Sequence, residues 1–271
     1  MENCGEILIG KQIIFVKKLS VIIFLWIVSV SAGAQTALLN NDRAPQPPEL
    51  LNAGPIDNEI SFKLTPSWYR SDDGTRASDI NLRANTETQT AWLGYYRDKP
   101  GFAQTRAGYE KKLDSGWLRT VLSVQVASGG FIGGSVTSEV GGDTYGIAGF
   151  GRTNLRDYYN LNFDPNDAIT IGAGTRAFED IELTLFHLWD DRLHTRQRVT
   201  HAIIRHKLAN KQRLTIDISR KSGLTTEDSF VRGYAATLTY DFRQYFLRVA
   251  RDEYVNFSPT AQYRVSLGAR F

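Results

Sequence analysis

The sequence closes on Ala261-Gln262-Tyr263-Arg264-Val265-Ser266-Leu267-Gly268-Ala269-Arg270-Phe271. Every odd position is apolar or aromatic, and the even ones are Gln, Arg, Ser, Gly and Arg. A period of two is the signature of a strand with one greasy and one polar face, here with Arg264 and Arg270 in the polar row. Soluble strands also alternate. What separates this one is that it runs to the last residue and stops on an outward-facing aromatic.

Working back from that end, segments of roughly ten residues repeat the alternation, each closed by Gly, Asp, Asn or Pro. Residues 58–70 set Ile60, Phe62, Leu64 and Trp68 against Ser61, Lys63, Thr65 and Ser67, and break at Ser71-Asp72-Asp73-Gly74. Residues 117–128 set Leu118, Leu122, Val124 and Val126 against Arg119, Ser123 and Gln125. Counted through the chain, the segments number fourteen, or twelve if one hairpin is lost near Thr86–Thr88 or in the glycine-rich stretch Gly129–Val140. Aromatics gather at segment ends (Trp68, Tyr69, Trp117, Tyr240, Tyr245, Phe257, Phe271), as interfacial girdles do. A secreted β-sandwich or solenoid is the competing reading.

The closing strand resembles that of bacterial outer-membrane β-barrels, a broad class in which a terminal Phe serves as an assembly signal. The resemblance implies a closed antiparallel transmembrane β-barrel over 58–271, in contact with outer-membrane lipid and lipopolysaccharide. It also implies that the barrel-assembly machinery reads Phe271.

The N-terminus agrees with export. Lys17-Lys18 precede an apolar run, Leu19–Val30, and the small-residue site Ala32-Gly33-Ala34. That is a secretory signal over 1–34, too short to span a bilayer. The stretch before Lys17 exceeds what such signals need, which suggests that translation begins at Val16. Residues 35–57, with Pro45, Pro47, Pro48 and Pro55, read as a flexible periplasmic lead-in.

Several classes fall away. The one cysteine, Cys4, lies in the signal, so the mature chain carries no thiol for zinc, iron–sulfur or nucleophilic chemistry. A net charge of +3 gives no case for nucleic acid. No cofactor motif appears: the glycines of 129–151 lack the strand–glycine–helix context of a phosphate cradle. No apolar stretch after the signal reaches the length of a helical span.

If the greasy faces meet lipid, the polar faces line a lumen. Alternation turns Lys63, Arg83, Arg106, Lys112, Arg119, Arg176, Arg213, Arg248, Arg264 and Arg270 inward, against Glu87, Glu110, Asp217 and Asp252. Such a basic lining selects anions by raising their local concentration, or braces the wall by pairing with neighbours, and the two roles can coexist. With the C-terminus periplasmic, parity puts short turns such as Gly141-Gly142-Asp143 inside and the longer loops Asn154–Asn166 and Ser222–Asp228 outside. Tyr158, Tyr159 and Phe163 of the longest loop either fold inward as a constriction or contact surface glycans.

The leading reading is a passive channel for small, anionic solutes, with Asn154–Asn166 as its gate. Small outer-membrane channels for acidic oligosaccharides are similar in size, strand number and basic lumen, without a shared motif. One alternative is a rim hydrolase using His187, Asp190, Asp191 and His194 to activate water. The others are a non-conducting adhesion or scaffold barrel, and a polysaccharide-export barrel. Asp164-Pro165-Asn166-Asp167 offers oxygens that a Ca²⁺ could use, but lacks the full calcium-loop pattern and reads as an Asx-Pro turn.

Overall fold

The computed structural model describes residues 60–160 and 164–271. The expected signal and lead-in, and Phe163, lie outside the described residues. Fourteen antiparallel strands follow in order: β1 (Ser61–Ser71), β2 (Arg76–Asn85), β3 (Gln89–Asp98), β4 (Ala103–Asp114), β5 (Leu118–Ala127), β6 (Phe131–Gly141) and β7 (Thr144–Thr153) form the first half. The second half is β8 (Ala168–Thr175), β9 (Ile181–Asp190), β10 (Arg198–Leu208), β11 (Gln212–Leu224), β12 (Phe230–Phe242), β13 (Tyr245–Asp252) and β14 (Gln262–Arg270). Each strand pairs with its chain neighbours, and β1 pairs with β14, so the sheet closes on itself and has no free edge. Both segments in doubt, β2–β3 and β6, are strands, which gives fourteen rather than twelve.

The closing strand makes that seam. Ser67 faces Ser266 and Tyr69 faces Arg264 in register, with the Ser67 hydroxyl 2.8 Å from that of Ser266. Beyond the ladder, the Phe62 N–H donates to the Phe271 carbonyl at 2.7 Å and the Phe271 N–H returns the bond at 3.0 Å. Their rings stack 5.9 Å apart on the outside, where Phe271 is 70 % exposed.

The outward positions form a continuous apolar surface, with Leu93, Leu122, Ile171, Leu185, Ile218, Val249 and Leu267 all exposed. Water would not favour so large an apolar band; hydrocarbon would. Two aromatic belts bound it: Trp68, Tyr95, Tyr234 and Tyr263 towards the end with longer connections, and Trp117, Phe242, Tyr245 and Phe271 at the short-turn end.

Inside, aromatic rings lie over glycines on adjacent strands. Phe246 faces Gly268 in register, Trp92 faces Gly108 and Phe186 faces Gly172. A Cβ added at Gly268 or Gly108 would fall within the contact radius of that ring, and one at Gly172 would meet the Phe186 Cβ and the Leu185 carbonyl. Glycine lets the ring lie flat against the wall, so aromatic bulk is accommodated without filling the lumen. This accounts for much of the glycine that punctuates inward faces.

Candidate functional site

Two segments from the long-loop end fold into the barrel. The first joins β7 to β8. Tyr158 stacks on Phe131 with ring centres 4.2 Å apart, and its hydroxyl donates to the Gln125 side chain at 2.9 Å. Tyr159 stacks on Tyr96 at 3.9 Å and donates its hydroxyl to Gln262 Oε1 at 3.2 Å. The backbone between them is clamped: Gln104 Nε2 donates to the Asp157 carbonyl at 2.9 Å, and its Oε1 accepts the Tyr159 N–H at 3.0 Å. Burial holds both phenols above the ordinary tyrosine range.

The same loop also reaches the opposite wall. Asp164 Oδ1 lies 3.0 Å from His201 Nε2 on β10, and His201 Nδ1 lies 2.9 Å from Asp217 on β11. Asp167 accepts from Arg192 at 2.8 Å and from the Thr153 hydroxyl. Residues 157–159 are thus held to β3, β4 and β14, and Asp164 to β10 on the far side of the ring. Of the two readings of Tyr158 and Tyr159, the structure has the inward one.

The second segment, 253–261, joins β13 to β14 and was hidden from pattern reading, because alternation carries a strand on to Asn256. The ladder stops at Asp252, and a single helical turn, Val255–Phe257, dips inward. Phe257 joins the buried apolar cluster that includes Leu188, Val199, Ile203 and Val231, and Val255 joins the one formed with Tyr69 and Tyr96, against which Tyr159 also packs. Lys221, 1 % exposed, is ion-paired with Asp252, donates to the Tyr254 carbonyl at 3.3 Å and lies 5.4 Å from the Phe257 ring centre. Asn256 and Phe257 adopt φ of 49° and 56°. That region is unfavourable for a bulky side chain, so burial holds a strained turn in place.

The basic residues divide into two groups. At the short-turn end, two runs of ion pairs lie along the wall. Arg270 pairs with Asp241, which accepts from Arg213 at 2.8 Å. Arg205 and Arg176 reach Glu182 at 3.5 and 3.2 Å, and Arg176 and Arg119 reach Glu139 at 2.7 and 4.0 Å. Arg119 reaches Asp114 at 3.0 Å, and Lys112, half exposed at the mouth, stands 3.9 Å from the same carboxylate. The second group is an arc on adjoining strands: Arg248 and Arg264 on β13 and β14, and Lys63 and Arg83 on β1 and β2, continued by Arg270. The Phe246 ring lies among them, 4.5 Å from Lys63 Nζ and within cation–π range of Arg248 and Arg270. Arg106, 2 % exposed, pairs with Asp79 and donates to the Tyr159 carbonyl at 3.2 Å, so it anchors the loop.

Alternation therefore places most of the basic set on the inner wall, with corrections. Arg176 is in the turn after β8, which stops at Thr175, and Glu87 is exposed in the β2–β3 turn. Asp79, Glu139, Glu182 and Asp241 also face in, as do Arg205 and Lys221, so the basic excess is smaller than the first four acids suggested. Asp79 was legible, four residues before Arg83 on the same face.

The rim quartet does not converge. Asp190 accepts the N–H groups of Arg192, Leu193 and Thr195 and braces its own turn. Asp191 takes a bidentate pair from Arg152, while His187 shares a 2.8 Å bond with Thr200 on the outer face. His194 is exposed in the following loop. In the Asp164–Asp167 stretch the carboxylates are engaged as above, and Asn166 Oδ1 accepts from Asn160 at 3.0 Å. Among the described residues no three His, Cys, Asp or Glu side chains gather as a metal site would require.

The fold is that of an outer-membrane β-barrel, a closed wall with an outward apolar band and inward loops. The chain is similar in structure to the outer-membrane protein Omp33 of Acinetobacter baumannii, with a TM-score of 0.51 at 9% identity, over 79% of this chain and 99% of that one. A KdgM porin superposes with a TM-score of 0.45 at 7% identity, over 77% of this chain and 99% of its own. A mutant Rh. blastica porin gives 0.42 at 11% identity, over 79% and 100%. No protein-family model and no curated protein matches the sequence.

Proposed function

We propose that this protein is an outer-membrane channel through which small anionic solutes diffuse down their gradient. The observation that carries the reading is the arc Arg248, Arg264, Arg270, Lys63 and Arg83 on four adjoining strands of a lumen into which Tyr158 and Tyr159 dock. Bases concentrated on one wall, in a path narrowed by protein, raise the local concentration of anions. The ion-paired belt at the short-turn end braces the wall, and Arg270, paired with Asp241, belongs to both belt and arc.

In this reading residues 1–34 direct export, 35–57 form the periplasmic lead-in, and the end bearing the 154–167 and 253–261 connections faces outward. The strand ending at Phe271 is read by the assembly machinery, and the apolar band meets lipid with lipopolysaccharide in the outer leaflet.

Planar-bilayer recording of refolded barrel tests the function. Expected is a stable conductance with a reversal potential favouring anions in a salt gradient. A barrel shown to be folded by heat-shifted gel mobility, yet without conductance, would overturn the channel; cation preference would overturn its anionic selectivity. The rim-hydrolase alternative expects Asp190→Asn to abolish a hydrolytic activity, and the role of Asp190 in its turn argues against it.

A further inference from the structure

The inner wall is not uniformly polar. Tyr145 and Ile147 on β7, Ala168 on β8, Phe186 and Leu188 on β9, and Val199 and Ile203 on β10 form one buried apolar cluster on the lumen side. Barrel interiors are ordinarily polar, because they hold water or charged loops. The cluster extends from Leu188 and Val199, near the long-loop end, down to Ile147 and Tyr145, near the short turns. Phe257 meets it from the long-loop side. The apolar track therefore runs further along the wall than one docked side chain requires.

Its position in the ring matters. β1 and β8 stand seven strands apart whichever way the fourteen-strand ring is followed. The apolar track on β7–β10 thus faces the basic arc on β13, β14, β1 and β2. The upper end of the track is a seat for a phenyl ring, and the protein's own Phe257 occupies it, with the Lys221 ammonium 5.4 Å away.

We infer that the lumen binds amphiphilic organic anions, namely carboxylates with an aryl or short alkyl body. The apolar body takes the track in place of Phe257, and the carboxylate faces the basic arc. This deepens the channel reading and rests on it for transport, but binding alone can be measured without conductance. Phe257 is suited to displacement: its φ of 56° is relieved when the turn leaves the seat.

The test is calorimetric titration of the refolded full-length barrel with phenylacetate and, as a head-group control, acetate. Expected is saturable phenylacetate binding, strengthened about tenfold by Phe257→Ala (about 1.4 kcal/mol), with acetate binding at least tenfold weaker in both proteins. Ile203→Thr, a milder change within the track, should weaken phenylacetate several-fold and leave acetate unaltered. Equal binding of the two anions would overturn the inference, as would phenylacetate binding indifferent to both substitutions. Anion conductance without phenylacetate preference leaves the channel reading standing and removes this one. Phenylacetate binding in a barrel that conducts nothing does the reverse.

Discussion

Tyr159 lies flat on Tyr96, with ring centres 3.9 Å apart and planes 19° from parallel, so a loop residue is fixed to the inner wall of β3. Aromatic pairs contribute about 0.5–1.5 kcal/mol beyond burial, and the Gln262 bond adds about 1 kcal/mol. Tyr159→Ala should therefore shift loop 154–167 towards an undocked state by one to two orders of magnitude in its equilibrium. Expected in bilayer recordings are larger mean conductance and more frequent fluctuation, with unaltered heat-shifted mobility. A conductance identical to wild type would show that this loop does not limit the path.

Loop docking should also fail in alkali. Burial holds Tyr158 and Tyr159 above their ordinary range, so the docked state favours the protonated phenols. The docking free energy is then complete below the undocked value of about 10 and declines as pH rises past it. Conductance should rise between about pH 10 and 12, and the Tyr158→Phe, Tyr159→Phe double variant should lose that step. A step that survives in the double variant would assign it to other groups.

Gly268→Ala places a methyl group within the Phe246 ring and should cost about 1–3 kcal/mol as overpacking. Phe246→Ala in the same chain should recover part of that loss, a coupling that urea unfolding of the refolded barrel can read. Additive effects of the two substitutions would refute the pairing.

The two basic groups should respond differently to charge changes. Glu139→Gln removes the carboxylate shared by Arg176 and Arg119 and should lower thermal stability with little change in ion preference. The pairs are partly exposed, so the expected cost is only about 1 kcal/mol. Arg248→Glu, on the arc, should move the reversal potential towards cations. If Arg248→Glu instead leaves selectivity unaltered in a folded barrel, the arc braces rather than selects.

Local pattern was enough for the architecture. Period-two alternation, turn residues every ten or so positions, and a last strand ending on Phe271 define fourteen strands, an apolar outer face and a polar inner one. These features depend only on which way each side chain points, and that is set residue by residue along a strand. Ring closure decided the rest. Asp241 sits between Arg213, 28 residues before it, and Arg270, 29 after it, because β11 meets β12 in register and Arg270 on β14 reaches across β13. Alternation shows that all three face inward without showing that they meet. The inward turn at Val255–Phe257 still alternates in sequence like a strand. It leaves the ladder because an apolar seat built from β9, β10 and β12 awaits Phe257, and no property of residues 245–256 alone reveals that seat.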